Sequence, residues 1–150
     1  MFNQLMRALT APPQTQRQPD LRLSVAVLLL EAARQDDQFD ANERSMIAKL
    51  LTQRFALTPE DCARLMAAGE ARANEMVQLH GHTSDVIEQM DPGERVHLVE
   101  MLWEVAYADG VLDPEEDLMI RRVAGLIYVT DRERVLARQR VLGRLGLQGA

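Results

Sequence analysis

The sequence of 150 residues is poor in cysteine, in aromatic residues and in long hydrophobic runs. Its single cysteine, Cys62, cannot form a disulfide within the chain, which favours a reducing compartment. The longest apolar run, residues 25–30, has six residues, whereas a membrane-spanning helix needs about 20. The first nine residues also lack the apolar core and the small-residue cleavage site of a secretory signal. We therefore expect a protein of a reducing compartment, without a membrane span, a secretory signal or a disulfide framework.

Acidic residues dominate the middle of the chain. The formal net charge is −6 at pH 7, and residues 31–117 contain 20 acidic and seven basic residues. The seven arginines that follow residue 117 are expected on solvated helix faces, where some of them pair with the acidic middle. Binding to a nucleic-acid backbone requires cations that cluster on the contacting face. The charge distribution therefore predicts that nucleic acid is not a partner.

Composition predicts one folded domain. Hydrophobic residues make up 47% of the sequence and charged residues 27%, which excludes disorder by composition, and the length is that of a single domain. We expect an amphipathic segment and a polar linker over residues 1–19, a helical domain over 20–142 and a loose tail over 143–150. Phe2, Leu5, Met6 and Leu9 share one face of the predicted helix at residues 2–9. So short a helix is ordered only by docking, on its own domain, on a partner or on a membrane surface.

Signals for the start of a helix recur along the sequence. An N-cap residue is followed three positions later by an acid at Asp40–Glu43, Asp91–Glu94, Asp113–Glu116 and Thr130–Glu133. Apolar residues recur at helical spacing after these caps, and alternating strand patterns are scarce. The sequence therefore predicts an all-α fold with a break at residues 80–82. The predicted helices cover about 20–35, 40–55, 58–79, 84–90, 92–108, 113–127 and 130–142.

The first half of the sequence resembles the second half. When the chain is shifted by 73 positions, eight of the 19 residues from 29 to 47 are identical to their counterparts. An internal duplication of a helix–loop–helix unit explains this similarity. The two units are expected to bury their apolar faces against each other with approximate two-fold symmetry.

Each repeat places three acids around the loop between its helices, with the spacing D-x-x-x-D-x-x-E. The first acidic corner is Asp36, Asp40 and Glu43, and the second acidic corner is Asp109, Asp113 and Glu116. Capping explains the last two acids of each corner, whereas the first lies at a helix C-terminus, where the dipole disfavours an anion by about 0.3–1 kcal/mol. A divalent cation, calcium or magnesium rather than zinc, would suit these oxygen ligands. The spacing is not that of an EF-hand, and pairing with nearby arginines is the competing explanation.

Signatures of catalysis and of organic cofactors are missing from the sequence. It contains no phosphate-binding loop, nucleophile elbow or zinc-protease motif, and Cys62 has no base beside it in sequence. His80 and His82 flank Gly81 and are expected to lie in a loop. The sequence therefore predicts no catalytic residue and no organic cofactor.

At the two acidic corners the sequence resembles the TerB family of tellurite-resistance-like helical domains. The resemblance lies in residues 33–51, ARQDDQFDANERSMIAKLL, and residues 105–127, VAYADGVLDPEEDLMIRRVAGLI. It extends over about 20–142 and is closest to a branch of short bacterial TerB-like proteins. The second block contains the typical A-x-A-D-G-x-x-D-x-x-E, whereas the first has Gln35 and Asp37 where the second has Ala108 and Gly110.

The resemblance implies about seven helices in two related halves, a role in resistance to tellurite or other chemical stress, and no catalytic activity. It also implies metal binding by the six corner acids and a location in the cytoplasm or at the inner membrane. We therefore expect a non-enzymatic TerB-like module that binds a divalent cation and acts through a protein partner, with residues 2–9 as a weak membrane contact. The alternatives are a metal-free interaction scaffold and a carboxylate-based metal hydrolase, which here would lack a histidine ligand and an obvious general base.

Overall fold

The computed structural model describes residues 14–34, 41–73 and 79–147, with side chains from residue 21 in the first range and from residue 81 in the last. Seven helices occur in these residues, and no strand is present among them. They are α1 Gln14–Ala33, α2 Ala41–Phe55, α3 Pro59–Ala73, α4 Leu79–Gln89, α5 Pro92–Ala106, α6 Pro114–Leu126 and α7 Asp131–Leu145. The predicted all-α class is confirmed. Asp36, Asp40 and the predicted helix at residues 2–9 lie outside the described residues.

The internal duplication comprises three helices in each copy, α1–α3 and α5–α7. The first helices of the two repeats end 73 residues apart, at Ala33 and Ala106, and the second helices begin 73 residues apart. The third helices begin 72 residues apart. The backbone is left-handed at Ala56, with φ 52°, and at Tyr128, with φ 63°, again 72 residues apart. Because non-glycine residues seldom adopt this conformation, its presence at both positions shows that the repeats share the geometry of their second turn.

The two repeats pack in equivalent ways around a common core. In each repeat the first and third helices pack closely, and the two first helices, α1 and α5, also pack against each other. Leu28, Leu29 and Leu30 of α1 and Leu102 and Trp103 of α5 are almost completely buried. A helix that is apolar on every side belongs inside a fold, which explains the position of α1. The linking helix α4 lies mainly against α1.

Gly69 sets the separation between α1 and α3. A Cβ atom at this position would lie 2.8 Å from Leu30 Cδ1 and 3.3 Å from Ala26 Cβ. The absence of a side chain therefore lets the two helices approach closely. Leu30 and Ala26 are themselves completely buried, so they have little room to move away from a larger residue.

Polar contacts join α5 to α7 in the second repeat. Trp103 Nε1 donates a hydrogen bond to the backbone oxygen of Arg134 at 3.2 Å, and Arg138 Nε donates to the Tyr107 hydroxyl at 2.7 Å. Arg144 forms ion pairs with Glu100 at 2.7 Å and with Glu104 at 2.6 Å. The predicted pairing of C-terminal arginines with the acidic middle is thus confirmed for Arg144.

Several predicted helix boundaries are wrong, and α3, predicted to run to residue 79, ends at Ala73. α1 begins at Gln14 rather than near residue 20, because the glutamines and arginine of the predicted linker are good helix formers and Pro19 does not end the helix. The break predicted at residues 80–82 is absent, since α4 begins at Leu79 and continues through Gly81. A glycine inside a helix costs about 1 kcal/mol, and the packing of α4 on α1, with Val86 completely buried, offsets this cost. Within the described ranges, no helix has the length and apolar character needed to cross a membrane.

Candidate functional site

The second acidic corner is a tight turn between α5 and α6. The amide of Ala108 donates to the Val105 carbonyl at 3.1 Å, and the amide of Gly110 donates to the Tyr107 carbonyl at 2.9 Å. Gly110 has φ 86°, a left-handed conformation that glycine adopts without a steric cost. The chain thereby reverses within a few residues, as the sequence predicts for a glycine that follows a helix.

Asp109 and Asp113 bind backbone amides on the two sides of this turn. Asp109 Oδ1 accepts a hydrogen bond from the Val111 amide at 3.0 Å, and Asp113 Oδ1 accepts one from the Glu115 amide at 2.8 Å. Asp113 is the N-cap of α6, as predicted. The predicted capping box with Glu116 is wrong, because the Asp113 side chain binds the amide of Glu115 instead. The boxes predicted at Asp91 and Thr130 are confirmed.

Burial differs sharply among the corner acids. Asp109 is exposed, Asp113 is half-buried and Glu116 is only 3% exposed. Its counterpart in the first repeat, Glu43, is only 4% exposed. Both glutamates lie in the first turn of their helices, where the positive end of the helix dipole favours an anion. The two repeats therefore bury a carboxylate at the same place.

The described corner acids do not form a ligand cluster. No group of three or more histidine, cysteine, aspartate or glutamate side chains in the described ranges is arranged to hold a metal ion. The structure shows Glu43, Asp109, Asp113 and Glu116 of the six predicted ligands. It does not describe Asp36 and Asp40, so it does not show the first corner as a whole.

Arginines near the corners do not neutralise the second one. Within the described part of the chain, Arg121 and Arg122 form no ion pair with Asp109 or Asp113. Arg44, which follows the first corner, pairs with Glu70 on α3. Among the described residues, the exposed Asp109 and the half-buried Asp113 therefore have no arginine partner.

A part-buried polar cluster that sequence reasoning missed joins α4 to α1. The Ser24 hydroxyl donates to Asp85 Oδ2 at 2.6 Å and lies 3.0 Å from His82 Nδ1. His82 is therefore a half-buried helical residue and not the loop residue that was predicted. These residue types occur in hydrolases, but here the hydroxyl proton is directed to the aspartate and Ser24 is only 1% exposed, so this serine is not poised to attack a substrate. The one signal in the sequence was a serine within the apolar stretch of residues 21–30.

The model of the family described as tellurite resistance protein TerB matches residues 22–139. This chain belongs to the TerB family. The match includes both acidic corners, so the resemblance found at residues 33–51 and 105–127 is confirmed. No curated protein and no solved structure gives a significant match. TerB membership thus rests on the family match, which covers most of the chain.

Proposed function

We propose that this TerB-family chain is a non-enzymatic module of the response to tellurite or related chemical stress. In this proposal it binds a divalent cation at its acidic corners and acts through a protein partner. Membership of the family supports the stress role and the lack of catalysis. The negative charge of Asp109 and Asp113, which form no ion pair among the described residues, supports the cation.

That charge is concentrated in a short stretch of sequence. Residues 109–117 contain five acids and no base. Among the described residues, Asp109, Asp113, Glu115 and Asp117 have no ion-pair partner. Like charges that lie close together repel each other unless a cation compensates for them. A bound cation would therefore stabilise this turn.

The ligand chemistry favours a hard cation with much of its hydration shell. Asp109 and Asp113 each use one oxygen for a backbone amide, and a carboxylate has about four acceptor sites in all. Magnesium keeps several waters and often binds through one or two carboxylates. Such a site does not require a preformed group of three side chains. We therefore propose calcium or magnesium, rather than zinc, bound weakly through Asp109 and Asp113 with water completing the coordination.

A titration of calcium, magnesium and zinc, followed by the backbone amide shifts of the full chain, tests the cation. We expect calcium or magnesium at millimolar concentration to shift the amides of residues 109–117, and the Asp109→Asn/Asp113→Asn variant to lose these shifts. Asparagine is also a good N-cap, so the fold should be kept. Glu60→Gln/Asp61→Asn, which removes the same number of charges elsewhere, is the control and should respond like the original chain. Unchanged amides in the original chain would rule out the cation.

A metal-free interaction scaffold is the second candidate. The observation in its favour is that the described residues hold no group of three ligand side chains. In this alternative the acidic corners or the methionine-bearing grooves form a protein-docking surface, and the partner binds without a cation. Complementation of a tellurite-sensitive deletion strain, read together with the titration, separates the two candidates. Loss of rescue by Asp109→Asn/Asp113→Asn favours the cation if calcium or magnesium also shifts the amides of residues 109–117 in the original chain, and favours the scaffold if neither ion does.

A further inference from the structure

A mostly apolar groove of about 780 Å³ lies between α2 and α3. Its apolar lining includes Ala48 of α2 and Cys62, Ala63 and Met66 of α3, and it reaches Leu57 in the turn that joins them. Polar residues of α2 also line it, namely Arg44, Ser45, Lys49, Thr52 and Gln53. Cys62 and Met66 are largely buried. The Cys62 thiol contacts the Ala48 carbonyl oxygen at 3.5 Å, so it lies between the two helices. An open apolar groove on a protein surface is typical of a site for an amphipathic helix.

The residues that line this groove are not repeated at the equivalent positions of the second repeat. With the offsets that relate the two repeats, the counterparts of Ala48, Cys62 and Met66 are Arg121, Arg134 and Arg138. Arg134 is only 8% exposed.

Arg138 in turn lies 5.8 Å from the ring centroids of both Trp103 and Tyr107. Arginines thus occupy the positions where the first repeat has alanine, cysteine and methionine. The apolar lining of the groove is therefore particular to the first repeat.

The N-terminal part of α1 lies next to one end of the groove. The Arg22 guanidinium lies over the Phe55 ring, 5.7 Å from its centroid. Arg22 also lines a small hollow together with Leu57 and Leu65. Because Leu57 lines both this hollow and the groove, Arg22 lies near this end of the groove.

The chain that precedes α1 is long enough to return to the groove. From Arg22 to Gln14 the helix rises about 12 Å, at about 1.5 Å per residue. Four residues, the number from 10 to 13, can span at most about 13 Å, which matches this rise. Any helix of eight residues is about 12 Å long, and the part of α2 that lines the groove, from Ala41 to Thr52, rises about 17 Å. The segment therefore fits within the groove.

We propose that residues 2–9 dock as an amphipathic helix in the groove between α2 and α3. Phe2, Leu5, Met6 and Leu9 share one helical face, which this proposal places against the apolar lining. A helix of this length needs such a surface to be ordered in water. None of the six acids of the two acidic corners takes part in the docking, so this proposal can be tested independently of the cation.

Backbone amide shifts of the full chain test the docking. Leu5→Asp/Leu9→Asp places two charges on the apolar face, and Asn3→Asp/Gln4→Asp adds the same charge to the opposite face. We expect the first variant, but not the second, to shift the amides of Ala48, Ala63 and Met66 relative to the original chain. Equal shifts from both variants, or no shift at the groove from either, would overturn the proposal.

The reactivity of Cys62, the only cysteine of the chain, gives a second measurement. If the undocked state is populated at about 10% or less, Leu5→Asp/Leu9→Asp should raise the rate of thiol modification about tenfold or more. The Asn3→Asp/Gln4→Asp variant should react like the original chain. Anionic vesicles that perturb residues 2–9, together with groove amides that are the same in all three chains, would show a membrane contact and contradict the docking.

Discussion

Ser24 of α1 is almost completely buried, and its hydroxyl contacts Asp85 and His82 of α4. These contacts help to hold α4 against α1. Because its hydroxyl donates to Asp85, its oxygen is left to accept from His82 Nδ1–H. This assignment fixes the tautomer of neutral His82, with the proton on Nδ1 and the lone pair on Nε2. Burial lowers the pKa of His82 below its ordinary value, Asp85 partly opposes this effect, and Arg72 adds to it.

We predict that His82 makes the fold less stable at mildly acidic pH. Because the pKa of His82 is lowered in the folded chain from 6.5, the unfolded chain binds more protons near that pH. The stability that neutral His82 contributes is thus fully present above pH 6.5 and is lost as the pH falls through the lower pKa of His82 in the folded chain. Since the ring is only half-buried, we expect a loss within about 1 kcal/mol, measured by urea unfolding between pH 7.5 and 5.5.

His82→Asn should remove this part of the pH dependence, because the asparagine amide can donate to Ser24 but does not titrate in this range. His97→Asn, at an exposed position, is the matched control and should keep it. The prediction is contradicted if both variants follow the pH profile of the original chain.

At the scale of helices and turns, local sequence signals account for most of the structure. The caps Asp91, Asp113 and Thr130 begin helices where the sequence places them, because capping depends on residues only a few positions apart. The left-handed turns at Ala56 and Tyr128 had no such signal, since neither residue is glycine or asparagine. The helical course of residues 79–82 was also missed, because it depends on packing against a distant helix.

We predict that the contact of α1 with α3 does not tolerate a side chain at Gly69. Gly69→Leu should lower the free energy of unfolding by about 1–3 kcal/mol, because it overpacks a buried contact with Leu30 and Ala26. Gly125→Leu is the matched control on α6, where a Cβ atom would meet nothing within 4 Å. There the higher helix propensity of leucine should stabilise the chain by up to about 1 kcal/mol. Urea unfolding measures both effects. Equal free energies of unfolding for the two variants would show that α1 and α3 can move apart without a loss of stability.

At the scale of the whole molecule, the duplication was visible in sequence but its extent was not. Residues identical in the two repeats are concentrated around the acidic corners, between residues 29–47 and their counterparts 73 positions later. The sequences of the third helices, by contrast, are dissimilar. Cys62 and Arg134, for example, are at equivalent positions but have chemically unrelated side chains. Only the helix boundaries and the paired left-handed turns show that the repeated unit has three helices. The groove was likewise missed, since it depends on which residues face each other across α2 and α3.

We predict that neither repeat folds alone. α1 packs against α5 of the other repeat, and residues 25–30 of α1 are completely buried. A fragment of residues 1–78 would expose this apolar surface, and so would its complement, 79–150. We expect weak helical circular dichroism and no cooperative unfolding from either fragment, because domains this small bury too little surface.

An equimolar mixture of the two fragments should recover both the helical circular dichroism and the cooperative unfolding of the full chain. Cooperative unfolding of a single fragment would show instead that the repeats are independent domains.

The second repeat joins α7 to α5 at positions that line the groove in the first repeat. Trp103 donates to the backbone oxygen of Arg134, and Arg138 Nε donates to the Tyr107 hydroxyl, whereas the counterparts Cys62 and Met66 line the groove. Removing the Arg138 side chain should therefore weaken the contact between α5 and α7. The equivalent change at Met66 should instead alter the shape of a surface that can accept a ligand.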